Sequence, residues 1–485
     1  MYLFGEKIHY LCGLLVELSF KEHKKRDMIM EMKKMVLGCL MAVCALSASA
    51  EKTYKYRVSL KDKVGTAYTL EKPQEFLSER AIERRNRQQL PVDETDLPVS
   101  GQYIKELVGK GAKLVTTSKW NNTAVIEVSD TLLMDEVVKM PFVQGVKKVW
   151  TAPDSIPARN KNRKKEVTND VKKAGYHYGT ALRQIQIHGG DSLHAAGFTG
   201  KGMHVAVIDA GFYNADKISF FKKMDLLGTR DFVNADSDIY AENSHGMKVL
   251  SCMAANTKDA FVGTAPEASY WLLRSEDADT EQPVEEDYWA AAIEFADSAG
   301  VDVINTSLGY YAFDAGYPAY RYRDLDGHYS LMSHSASMAA DKGIVVVCSA
   351  GNSGNDAWKK VTPPGDSENV LTVGALTKSL VNAEFSSIGN TSDGRVKPDV
   401  MAIGQNSVVS GYDGTVSKAN GTSFASPTMC GVVTCFWQAC PWLTAKEVIK
   451  AVQQAGDRVD YPDNIYGYGV PNLWKAYQKE VEKKK

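Results

Sequence analysis

Neither sign of charge dominates this chain: 57 Lys and Arg stand against 59 Asp and Glu, for a formal net charge of −2. That balance removes any global argument for a nucleic-acid partner, which needs a basic footprint. No uninterrupted apolar run reaches the length of a membrane-spanning helix. Cysteine is scarce and poorly spaced for chemistry. Of the eight, Cys12, Cys39 and Cys44 precede residue 51, and Cys252, Cys348, Cys430, Cys435 and Cys440 show no C-x-x-C or Cys/His spacing for zinc. Five is odd, so at least one thiol stays free or pairs outside the chain, and burial as a small apolar side chain is the default for the rest. Internal repeats are absent as well.

What is present is ordinary for globular protein, 44% hydrophobic and 24% charged residues in a chain of 485, long enough for two or three domains. Near the start, MKKMVLGCLMAVCALSASA (32–50) has a basic beginning, a short apolar centre and an Ala-Ser-Ala end, the pattern of a secretory signal peptide. Residues 1–31 then read as an upstream extension from a misassigned start. From 51 to 150, strand-like runs (TYKYRVSL, AKLVTTS, NTAVIEVS) mix with helical ones (FLSERAIERRNRQQ, LLMDEVVKM), as in a small α+β domain. Residues 151–177 are polar and basic, centred on RNKNRKK, and read as an exposed linker open to proteolysis.

From residue 178 to 485 the pattern changes. HVAVIDAG, VDVINTSLG and GIVVVCSAGNSG read as fully buried strands, and PVEEDYWAAAIEFADSAG and SLMSHSASMAADKG as amphipathic helices. Such alternation predicts βαβ units, hence an α/β fold with a mostly parallel central sheet between two layers of helices. Ligands then bind at the carboxyl ends of the strands, which places Asp209, Ser307 to Gly309, and Ala350 to Asn352 along one edge.

The stretch GTSFASPTMCG (421–431) puts Ser423 ahead of an apolar helical run. Either it caps that helix, with Pro427 in the first turn, or it is a nucleophile presented at a positive dipole end. A nucleophilic serine needs a base. His245, between Ser244 and Gly246 at the start of a helical run, is either a surface histidine or that base, whereas His188 and His204 read as structural. Asp209 ends a buried strand and either caps a turn or accepts a hydrogen bond from the imidazole. Asn352, in a Gly-rich loop, is a turn residue or a donor to an oxyanion, with the Ser423 N–H as second donor. Each residue is ambiguous alone. Together Asp, His, Asn and Ser each occupy a strand end or helix start of one α/β domain, and Asp…His…Ser is one of three chain orders known for such a triad.

With GFTGKGMHVAVIDAGF, NSHGMKVLSCMAA, VKPDVMAIG, NGTSFASPTMCGVV and YGYGVPN added, residues 178 to 477 resemble a subtilisin-like serine peptidase, a subtilase of the S8 family. The resemblance implies a three-layer subtilisin-like fold and a serine endopeptidase working through an acyl-enzyme. It implies Asp209 orienting His245, His245 as base then acid, Ser423 as nucleophile and Asn352 in the oxyanion hole. Ser307, Leu308, Gly309, Ala350 and Gly351 would line a cleft in which a peptide adds to strand edges. Residues 51–150 resemble the propeptide of secreted Bacteroidetes-type zymogens, an intramolecular inhibitor that cleavage in the linker would release outside the cytoplasm. No cofactor is needed for this chemistry; calcium stabilises many members, but no acidic loop is assignable as a metal site. Two departures stand out: Ala210 interrupts the usual Asp-Thr-Gly, and Met247 and Lys248 replace the last two residues of His-Gly-Thr-His. They leave a catalytically impaired, peptide-binding member of the same fold as the alternative. A lipase would want a Gly-x-Ser-x-Gly elbow and Ser…Asp…His order, neither of which Ser423 has.

Overall fold

The computed structural model describes residues 52–153 and 178–484. The expected upstream extension, signal peptide and all but the first residues of the linker lie outside the described residues. The chain divides into units 1–52 and 53–485, and everything below concerns the second.

Its N-terminal part is an antiparallel sheet of β1 (Tyr54–Leu60), β2 (Lys113–Ser118), β3 (Thr123–Val128) and β4 (Val143–Thr151), in the order β2-β3-β1-β4. Val58, Ala124, Ile126 and Phe142 close one face over a small core. Helix α1 (Glu79–Gln88) begins where Ser78 accepts a hydrogen bond from the Ala81 N–H, a side-chain N-cap. Strand β4 was not legible in the sequence, because VQGVKKVWT alternates only weakly and carries two consecutive exposed lysines, Lys147 and Lys148.

The larger part is built on seven strands. They are β5 (His204–Asp209), β6 (Asp225–Asp231), β7 (Ser269–Arg274), β8 (Val303–Thr306), β9 (Val345–Ser349), β10 (Leu371–Leu376) and β11 (Val400–Ile403). Their order is β11-β10-β9-β8-β5-β7-β6, with every adjacent pair parallel. A two-residue period divides each central strand between faces: Val205, Val207, Val303, Val345 and Val347 point to one core, and Ala206, Ile208, Ile304, Val346 and Cys348 to the other. Helices α2 (His245–Ala254) and α5 (Thr422–Ala439) cover the first face, and α3 (Val284–Ala299) and α4 (Leu331–Asp341) the second. This is the three-layer α/β fold expected. Among the described residues, no helix is long and apolar enough to cross a membrane.

Helix α3, amphipathic in its sequence pattern, buries acidic as well as apolar residues: Glu286, Asp287 and Asp297 are buried, the last with 0% exposure. The N-terminal sheet and α1 lie over them. Asp297 receives Arg84 (2.6 Å), Arg85 (3.0 Å) and Lys119 (2.9 Å), and Arg57 reaches Asp287 at 2.6 Å. Glu294 accepts the N–H groups of Lys119 (2.7 Å) and Trp120 (3.1 Å). Charges this deeply buried are tolerated only when paired.

Candidate active site

Asp209 ends β5 and His245 opens α2, so sheet and helix bring a carboxylate and an imidazole together at the carboxyl edge. Asp209 Oδ1 lies 2.7 Å from His245 Nδ1 and also accepts the Ala210 N–H at 2.8 Å. Gly246 makes this approach possible, since a Cβ there would stand 2.5 Å from the Gly211 carbonyl and 2.8 Å from Asp209 Cβ. Just ahead of α2, whose N-cap is Ser244, Asn243, a residue not singled out in the sequence, holds the His245 N–H on its Oδ1 at 2.8 Å. Burial pulls the imidazole pKa down, but the Asp209 carboxylate, its hydrogen bond and Glu276 together hold it above the ordinary value, with Lys248 opposing them.

Ser423 is the second residue of α5, which follows Gly421 at φ 151°, a backbone angle suited to glycine. Pro427 is not in the first turn, as the sequence suggested, but inside the helix. The ring of Phe424 lies 5.8 Å from the His245 ring, so the imidazole rests against the residue that follows Ser423. Ser423 Oγ itself donates to the Ser307 carbonyl at 3.4 Å. Catalytic hydrogen bonds often tighten only once substrate is bound.

Asn352 sits across from this turn. Its Oδ1 accepts both the Thr422 N–H (2.9 Å) and the Thr422 hydroxyl (3.0 Å). Because an N–H can be accepted only by the oxygen, the amide orientation is fixed and Nδ2 is left to donate elsewhere.

The five expected cleft residues divide. Ser307, Leu308 and Gly309 continue beyond Thr306, the last paired residue of β8. Ala350 and Gly351 are tied into the protein: Ala350 is buried, gives its N–H to Val373 (3.0 Å) and accepts from Thr362 (3.2 Å), while the Gly351 carbonyl accepts from Ser387 (3.0 Å). Those main-chain groups of Ala350 and Gly351 are therefore not open to strand addition, because β10, the loop after β9 and the segment after β10 take them.

No acidic loop was assignable from the sequence, yet Glu276, Glu281 and Glu285 bring carboxylate oxygens within 4.8 Å of one another. Glu285 is engaged by the Tyr310 hydroxyl (3.0 Å) and the Gln282 N–H (3.0 Å). Burial first and neighbouring carboxylates next push Glu276 and Glu281 up to about 7, and burial takes Glu285 to about 10. The trio suits shared protons as well as a hard cation. Beside it, Gln282 clamps the end of β4, donating to the Thr151 carbonyl (3.1 Å) and accepting the Thr151 N–H (2.8 Å).

All five cysteines of the described residues are free and buried. His188 is buried against the Pro471 carbonyl at 3.0 Å, and burial lowers its pKa to about 4.

Comparison with known proteins places these features. Residues 200–469 match the Subtilase family, and residues 55–168 match the Peptidase S8 propeptide domain of Bacteroidota. Serine protease AprX of Bacillus subtilis (strain 168) is 30% identical over 302 residues, covering 56% of this chain and 66% of its own. Subtilisin DY of Bacillus licheniformis is 29% identical over 294 residues, 59% of this chain and 95% of its own. The thermophilic serine proteinase of Bacillus sp. (strain AK1) is 28% identical over 395 residues, 78% of this chain and 88% of its own. With its seven-stranded parallel sheet and a family match spanning residues 200–469, the chain belongs to the subtilase family of serine endopeptidases.

Proposed function

We propose that this endopeptidase works through Asp209, His245 and Ser423. The observation that carries the reading is the 2.7 Å Asp209–His245 contact, made where the imidazole abuts the turn holding Ser423. Ser423 Oγ attacks the scissile carbonyl while His245 takes its proton; Asp209 holds the imidazole tautomer and stabilises the imidazolium. The tetrahedral oxyanion is met by Asn352 Nδ2 and the Ser423 N–H at the start of α5. His245 then protonates the leaving amine, and water hydrolyses the acyl-enzyme by the reverse path. Substrate backbone lies along Ser307, Leu308 and Gly309. Every step uses a protein group, so no cofactor is required.

The N-terminal sheet acts as an intramolecular inhibitor. Its last strand is already held by Gln282, and α1 and the turn after β2 reach α3 through the buried Arg84–Asp297 and Lys119–Asp297 ion pairs. Cleavage within residues 151–177 releases the mature enzyme, and the segment 32–50 directs the chain out of the cytoplasm. The test is hydrolysis of a denatured protein such as casein by the full chain after processing. Ser423→Ala and His245→Ala should each abolish it, and purified Ser423→Ala should stay full-length on incubation. Activity surviving in either variant would refute the triad; processing of isolated Ser423→Ala would refute self-cleavage.

A further inference from the structure

A proline inside a helix cannot bond the carbonyl four residues before it. In α5 that proline is Pro427, and the carbonyl it leaves unpaired is that of Ser423 itself. The vacancy is filled from the sheet: Ser307 Oγ donates to the Ser423 carbonyl at 3.0 Å. Ser307 Oγ in turn accepts from Asn305 Nδ2 at 3.1 Å, and Asn305 Oδ1 accepts from Ser426 Oγ at 2.8 Å. An amide NH₂ can only donate, so the proton of the Ser307 hydroxyl is turned away from Asn305 and toward Ser423.

The result is a closed bracket. It fastens the N-terminal end of α5 to β8 and the residue just past it at two points, the Ser423 carbonyl and the Ser426 hydroxyl. Asn305 sits on β8 between Val207 and Val347, and both it and Ser426 have 0% exposure, beyond reach of substrate. Ser307 also receives the Ser423 hydroxyl on its own carbonyl, so one residue holds the serine at main chain and side chain together. An asparagine in a run of buried valines would otherwise be a costly choice for a central strand.

We propose that Asn305 is a positioning residue for acyl transfer, fixing Ser423 through Ser307 and Ser426. This rests on the reading of Ser423 as the nucleophile. A nucleophile anchored to the sheet keeps its place while charge builds on the substrate carbonyl, and misplacement by about an ångström costs on the order of 10²-fold in rate.

The experiment measures kcat and KM on a peptide substrate, per active site counted with a fluorophosphonate, for the processed wild type, Asn305→Ala and Ser426→Ala. Turnover per titrated site should fall roughly 10- to 100-fold in Asn305→Ala with KM changed by less than about threefold, because Asn305 acts on the Ser307 side chain while substrate backbone lies along the chain from Ser307 to Gly309. The acid limb of the pH profile should not move, since the Asp209–His245 pair is intact. Ser426→Ala, a small change in a buried helix, should fall in the same sense by a smaller factor, and it decides the matter if Asn305→Ala does not fold. Turnover per titrated site within about twofold of wild type in a folded variant would overturn the proposal, as would a loss confined to the number of titratable sites. A Ser423→Ala control that retained activity would instead overturn the nucleophile reading.

Discussion

Replacing Asp297 by asparagine keeps the shape of the side chain and removes one charge from a place where three cations meet. Arg84, Arg85 and Lys119 approach its carboxylate at 2.6, 3.0 and 2.9 Å, with side-chain exposures of 1%, 0% and 10%. Removing one partner from a buried pair costs about 3–5 kcal/mol, because the other charge stays buried without compensation. Arg85 keeps Asp96 at 2.8 Å, so the lower part of that range applies, or roughly two powers of ten in the docking equilibrium of the N-terminal sheet. Burial alone would raise the Asp297 pKa, but the three cations hold it well below the ordinary carboxylate range. Its contribution is therefore complete at neutral pH and is lost only as pH falls through that depressed value, so mild acid should not release the sheet by this route. The reporters are the amides of Lys119 and Trp120, which bond Glu294 across the interface. In a Ser423→Ala background, where cleavage is blocked, Asp297→Asn should speed their hydrogen exchange about 10²-fold at pH 7. Exchange within about threefold of the parent would show that the ion cluster does not hold the sheet in place.

Asn352→Ala should lower kcat by about 10²–10³ with little change in KM, a figure for losing one oxyanion donor that itself comes from a subtilisin. Steady-state kinetics on one peptide substrate checks it. Lys248 opposes protonation of His245, so Lys248→Gln should raise the imidazole pKa further. The base must be neutral to act, and the acid limb of kcat/KM should therefore move to higher pH. The five cysteines from residue 252 onward are free and buried. Burial also raises the thiol pKa of Cys252 and Cys348 to about 12. A thiol reagent should therefore leave the native enzyme unlabelled at pH 8 and modify all five once it is unfolded, as intact-mass measurement would show.

How much of this could be read from sequence depends on whether a residue's partners lie nearby in the chain. The placing of Asp209 at a strand end and of His245 and Ser423 at helix starts was legible because small residues mark each, and Gly246 marked the close approach beside His245. The central strands β5, β8 and β9 announced themselves as apolar runs. The edge strand β6, DLLGTRD, did not, since it carries charge and is largely exposed or half-buried. The burial of Asp287 and Asp297 on α3 could not be foreseen, because it depends on arginines and a lysine more than 170 residues away. The same holds for Ala350 and Gly351, whose main-chain groups are taken by segments folding back on the sheet, and for the Glu276, Glu281 and Glu285 trio, whose convergence no spacing revealed. Asn305 left one trace, a lone amide in a strand of valine, isoleucine and threonine.

The proposed mechanism requires Ser423 to be an activated nucleophile. Incubating the processed protein with a fluorophosphonate and locating the adduct by peptide mass spectrometry tests this directly. A single adduct should form on Ser423, strongly slowed in His245→Ala and absent in Ser423→Ala. An unmodified Ser423 in correctly folded, processed protein would contradict the mechanism.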